Sequence, residues 1–382
     1  MERIEIKPSL IRWAVERSGR TTEGLVGKFP KLRKWQTDDQ AKLTFVELER
    51  LSNETHTPMG FFFLDSPPPA EVPIPDFRTV KDKVVGQMSP DLVDTLNAMQ
   101  LRQGWYRNFA SEEGWSRLRF VGSAKPDDGV KRVAQDIRKK LELEPSWASK
   151  LRTPDDAVSI LREKIEALGI LIVINGCVGN NTFRVLEPEE FRGFVISDAL
   201  APLIFVNGHD AKSAQMFTMF HELAHLWVNR SGIFDLKESA PPADATEKYC
   251  NEVAAEALIP EEEIQTIWYS YAEAETPYQE LAKHFKASPL VVGRRLSELS
   301  LITKKAFFDF YAGYQATAGA VPKRDSGGSF YNNQNFRIGK RFMRIVNRAA
   351  NEGRITYTEA YKLTGLNNAT FDEYVKRIGG TD

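Results

Sequence analysis

Cysteine is nearly absent from this chain of 382 residues: it has Cys177 and Cys250, far apart and without a CxxC spacing. That excludes a disulfide framework and suits a reducing compartment. Neither sign of charge dominates. The chain carries 51 Lys and Arg against 52 Asp and Glu, a formal net charge of −1, so whole-chain electrostatics select no partner. Long apolar runs are missing too. The longest, such as Ile170 to Ile174 (ILIVI), are far too short to span a bilayer. The opening MERIEIKPSLIRW lacks the apolar core of a signal peptide. These absences together predict a cytoplasmic protein with no membrane partner. No internal repeat is evident. A chain 42% hydrophobic and 27% charged has the composition of a soluble globular protein, and its length allows two or three domains.

Histidine is also scarce, at five residues. Two of the five fall four apart in His221-Glu222-Leu223-Ala224-His225. On a helix that spacing points both imidazoles the same way, giving half of a tetrahedral zinc site. Glu222 sits about 100° round the helix, beside the metal rather than on it, where it can act as a general base for hydrolysis. The flanking run SAQMFTMFHELAHLWV is apolar on most faces. The helix is therefore expected to be buried, and buried histidines need partners.

A third ligand must come from elsewhere. The segment DATEKYCNEVAAEALIP (244–260) has the pattern of a helix ended by Pro260. Glu247 and Asn251 share one of its faces. Glu247 is the favoured third ligand, with Asn251 holding an imidazole or the carboxylate in place. Glu252 and Glu256, on other faces, stay open as rivals. Asp244 and Glu247 also fit a capping box, in which Glu247 would only bond the backbone. His209 precedes the HELAH helix in a turn, where exposure is commoner than catalysis. His284 reads as surface or packing.

On these residues the chain resembles the ImmA/IrrE family of metallo-endopeptidases. The resemblance runs from about Gly169 to Pro260 and includes GILIVI, GFVIS, PLIFVN, FTMFHELAHLWV and ExxCNEVAAEALIP. Cys250 and Val253 stand where the family pattern has Ala and Phe. The resemblance implies Zn²⁺ held by His221, His225 and Glu247, Glu222 as general base, and a protein substrate. It further implies that the substrate is a transcriptional repressor or an antitoxin.

The rest of the chain divides by composition. Residues 1–65 hold short helical patterns whose order resembles an Xre/Cro-type helix-turn-helix domain, with PKLRKW as its recognition helix. Lys31, Arg33 and Lys34 could then meet operator DNA. Asp38 and Asp39 follow directly and oppose phosphate, and Gly24 and Gly27 weaken the preceding helix. A helical domain serving protein contacts stands equally open. Residues 66–150 are read as a proline-rich linker, SPPPAEVPIPDF, and a helical connector. Trp105, Tyr106, Phe109, Trp115 and Trp147 there are expected to be packing residues. Residues 151–300 form the metallopeptidase domain, with strands expected at LIVI, FRGFVIS and PLIFVN.

Residues 301–382 form a basic helical extension. From Lys323 onward it has eleven Lys and Arg against six acids, a balance of +5. It could bind nucleic acid or dock on an acidic surface. The expected class is α+β, mostly helical: a helix-turn-helix-like bundle, a zincin-like core around a small sheet, and the extension. The alternative function is a DNA-binding regulator or antitoxin whose metal site is structural or vestigial. A small-molecule hydrolase is weaker, because added recognition modules suit a macromolecular partner.

Overall fold

The computed structural model describes residues 3–68, 88–234, 245–317 and 330–379. Most of the proline-rich linker, from residue 69, lies outside them, as do Asp244 and the cations Lys323 and Arg324. The chain divides into two units, Met1–Asn97 and Ala98–Asp382. It is mostly helical with small sheets, an α+β class.

The first unit builds β1 (Arg3–Ile6), α1 (Pro8–Arg17), α2 (Thr22–Val26), α3 (Leu32–Thr37), β2 (Ala41–Thr44) and α4 (Phe45–Glu54). The helix limits follow local chemistry. Pro8 starts α1, where its missing N–H costs nothing, and Gly19 beyond the end takes a left-handed φ of 67°. The Thr21 hydroxyl accepts from Gly24 N to cap α2, and Thr44 with Glu47 forms a capping box on α4. The two strands were not expected from the sequence. β1 pairs antiparallel with β2, Arg3 opposite Thr44, and so ties the start of the unit to the approach of α4. Leu10, Ala14, Leu25, Leu32, Trp35 and Leu48 are among the side chains that fill its core.

The division between the units falls within α5 (Pro90–Glu112); in the second unit α6 (Val130–Lys140) precedes α7 (Pro154–Ala167), which opens with a Thr153/Asp156 capping box. Five strands follow: β3 (Leu171–Asn175), β4 (Cys177–Val178), β5 (Asn181–Val185), β6 (Gly193–Ile196) and β7 (Leu203–Asn207). After them come α8 (Lys212–Trp227), β8 (Gly232–Phe234) and α9 (Ala245–Leu258). The main sheet has the order β3-β7-β6-β8. β3 and β7 run parallel, while β6 is antiparallel to both β7 and β8. Every residue of β3 and β7 is buried, as expected of unbroken apolar strands covered on both faces. One face packs Ile172, Ile174, Ile204 and Val206 with Met216, Phe220 and Leu223 of α8 in the core. Phe191, Phe194 and Phe205 stack together, the last two at 4.9 Å.

The remaining helices are α10 (Glu261–Tyr271), α11 (Pro277–Phe285), α12 (Pro289–Glu298), α13 (Lys304–Thr317), α14 (Phe330–Arg337), α15 (Lys340–Asn351), α16 (Tyr357–Thr364) and α17 (Asn368–Arg377). The connector aromatics are packing residues. Tyr106 is fully buried, and Trp105 and Tyr106 meet Phe342 of α15 at 5.7 and 6.2 Å. Three arginines of the basic extension bond to α5 and α7 of the second unit. Arg348 and Arg354 pair with Glu113 at 2.6 Å, and Arg354 also with Glu112. Arg341 Nε donates to the Tyr106 hydroxyl, and its backbone N–H donates to Glu166. Arg102, nearly buried on α5, donates to the carbonyls of Leu363 and Arg337. No helix among the described residues is long and apolar enough to cross a membrane.

Candidate metal centre

The centre lies where α8 meets α9. Residues 215–227 of α8 are buried on every side, wedged between the sheet, α7 and α9. His221 and Glu222 have no exposed surface and His225 has 3%. One turn of helix separates the two imidazoles, and their Nε2 atoms approach to 2.9 Å. Glu247, near the start of α9, brings one carboxylate oxygen to each ring, 3.3 Å from His221 Nε2 and 3.2 Å from His225 Nε2. These three ligand atoms lie within 4.8 Å of one another, the one such cluster of three among the described residues.

The electrostatics suit a cation. Burial pulls the His221 imidazole down to about 4, so near neutral pH it is the uncharged ring that can bind a metal. Burial pushes Glu247 up, but hydrogen bonds from His221 and His225 prevail and hold it well below the usual carboxylate range. Asn251, one turn along α9 from Glu247, lies beside the His221 ring and favours its protonated form, against the larger effect of burial. Two nitrogens and an ionised carboxylate converging in a buried site are the donor chemistry of zinc.

Glu222 faces the sheet. A methyl placed on Gly193 of β6 would lie 3.0 Å from Glu222 Oε1, 2.8 Å from the Phe205 carbonyl oxygen and 2.6 Å from Thr218 Cγ2. The carboxyl of Glu222 thus occupies space that only glycine leaves open. Both of its oxygens are buried without a hydrogen-bond partner among the described residues. Burial first, and the charge of Glu247 second, raise it well above the ordinary carboxyl value. A buried carboxyl held without partners beside a donor cluster is the arrangement expected of a proton-transfer group.

The rivals are engaged elsewhere. Glu252 is exposed and pairs with Lys248, while Glu256 is buried against Arg295 of α12. His209 is exposed in the turn between β7 and α8. His284 pairs with Glu263 at 3.1 Å. In the first unit, Lys31 occupies the N-cap position of α3 and pairs with Glu47, and Arg33 pairs with Glu23. Lys34 sits in the last turn of the same helix. Sequence reasoning missed Gly193. Its signal was an isolated glycine in an apolar strand pattern, which marks a close approach.

An α+β unit with two buried histidines on one helix and an acid from the next has the donor set of a divalent-metal site. Residues 166–297 match the Peptidase_M78 family model, described as an IrrE N-terminal-like domain. The match supports the ImmA/IrrE resemblance across that segment, and this family of metallopeptidases is typically zinc-dependent. Residues 338–377, spanning α15 to α17, match a domain of unknown function, DUF8813. No curated protein and no solved structure matches the chain.

Proposed function

We propose that the chain is a zinc-dependent endopeptidase that cuts a partner protein inside the cell. The observation that carries this reading is the convergence of His221, His225 and Glu247 beside the partnerless buried carboxyl of Glu222. The three would hold the metal through two Nε2 atoms and a carboxylate. When bound, zinc supplies Lewis acidity to water and to the scissile carbonyl. Glu222 takes a proton from the attacking water and delivers it to the departing amine nitrogen. Asn251 keeps the His221 ring in register. The wall of packed side chains around α8 limits bulk water at the site.

The choice of a transcriptional repressor or antitoxin as substrate rests on the ImmA/IrrE resemblance. Glu222→Gln is expected to keep one zinc per chain and lose roughly a hundred- to ten-thousandfold in cleavage rate. Comparing proteomes of cells carrying wild type and this variant would name the substrate. Normal cleavage by Glu222→Gln contradicts the role of Glu222. His225→Ala is expected to lose the metal, read by elemental analysis.

Operator binding through α3 is the alternative. It would require Lys31 and Arg33 to leave Glu47 and Glu23, and a structural metal site would have no use for a buried base. A gel shift on the protein's own promoter, repeated across salt concentrations, tests it.

A further inference from the structure

We propose that the cleft beside His221 reads one large apolar side chain of the substrate, and that α13 sets its size. This inference rests on the peptidase reading and assigns the substrate class for that site. The cleft has a volume of about 570 Å³. It borders the metal centre without including it: its lining residues Asn251 and Phe217 each stand one helical turn from a ligand, Glu247 on α9 and His221 on α8, and the Phe217 and His221 rings lie 6.5 Å apart, centre to centre. Ala214 and Phe217 of α8 and Ala255 of α9 line the side nearest the metal, and Leu290 of α12 another. Phe307 and Tyr311 of α13 make an aromatic wall. That wall is held close: a methyl on Gly293 of α12 would lie 3.3 Å from Phe307 and 3.4 Å from Phe310.

Charge decides the occupant. The cations that line the cleft are each matched by a carboxylate. Lys131 pairs with Glu261, Arg192 with Asp210, Arg294 with Glu298, and Arg295 with Glu256. Lys248 faces Glu252. A charged side chain entering would lose its hydration and meet no uncompensated counter-charge. A leucine, methionine or phenylalanine side chain would gain from leaving water. α13 lies outside both matched segments, 166–297 and 338–377. The selecting wall therefore comes from a part of the chain that neither family model covers.

The test uses the full zinc-loaded chain in two arms. In the first, a library of peptides from digested cellular protein is treated with wild type, Phe307→Ala and Ala214→Phe, and the cut sites are read by mass spectrometry. Wild type is expected to favour a large apolar residue at one position flanking the cut. Phe307→Ala should widen that preference towards bulkier residues and Ala214→Phe narrow it, each by roughly tenfold or more in relative rate. A charged preference, or one that neither variant moves, overturns the proposal.

The second arm needs no catalysis. N-acetyl amides of Leu, Phe, Asp and Lys are titrated by ligand-observed NMR against Glu222→Gln with and without Ala214→Phe, zinc content being checked in both. Selective binding of the Leu and Phe amides, lost with Ala214→Phe, supports the cleft. Its absence overturns the cleft assignment whatever the first arm gives. Cleft binding without any cleavage by wild type sinks the peptidase reading and leaves the apolar-side-chain site standing.

Discussion

Replacing a hydrogen of Gly193 by a methyl brings three heavy atoms inside contact distance. One of them, the Phe205 carbonyl oxygen, is backbone and has no rotamer by which to move aside. Gly193→Ala is therefore expected to lower the melting temperature and slow turnover by displacing Glu222, with zinc stoichiometry unchanged. Thermal unfolding and elemental analysis on the same sample check it, and a variant equal to wild type in both stability and rate would show that the strand simply shifts. At this scale the sequence spoke clearly wherever spacing alone carried the information. His221 and His225 were legible because a helix turns at a fixed rate, and Glu247 because it shares a helix face with Asn251. Gly193 was not, since what it clears room for lies on a different element. Glu256 was a fair rival to Glu247 until the position of Arg295 was known. A side chain's partner across the fold leaves no trace in local pattern.

Between elements, the Glu256–Arg295 pair fastens α9 to α12 in the interior, and Arg295 also donates to the Ile259 carbonyl. Glu256→Gln would leave that guanidinium buried without its counter-charge, a loss of roughly 3–5 kcal/mol by analogy with broken buried pairs. Urea unfolding should show a lower midpoint at an unchanged slope. A second link joins α10 and α11 to the turn after α6. Burial pushes Glu263 up, but hydrogen bonds from His284 and Ser146 outweigh it and hold the carboxyl below its ordinary 4.5. A depressed folded-state pKa adds stability above the unfolded value and loses it as pH falls through the folded one. Glu263→Gln should accordingly shrink the difference in stability between pH 7 and acid conditions below about 4, measured by unfolding at both. A difference as large as wild type would mean that other carboxylates dominate the acid limb.

The helix read at 244–260 was legible in outline, since α9 (Ala245–Leu258) stops just short of Pro260. The pairing of β1 with β2 was not. Each strand has four residues, and they meet only because three helices between them fold back.

For the molecule as a whole, part of the positive charge in the last sixty residues is met within the second unit. Arg348 and Arg354 converge on Glu112 and Glu113 at the end of α5, and both guanidinium groups also lie over the Phe109 ring. A count of charges saw a basic tail and left nucleic acid and an acidic surface equally open. For Arg348 and Arg354 the acidic partner is the chain's own α5. Reversing Glu112 and Glu113 to Lys together should raise amide exchange in α15 and α16 without changing zinc content, followed by hydrogen–deuterium exchange. Unaltered exchange would show that aromatic packing alone seats those helices.

Arg102 carries a consequence of its own. Burial draws its guanidinium down to about 10, and the two carbonyls that accept from it belong to Leu363 and Arg337. A protease nick that shed the tail would strip this cation of both carbonyls and of the Phe342 ring it lies over. Cutting away α14 to α17 while keeping α5 would bare Trp105 and Tyr106, which meet Phe342, and so invite precipitation.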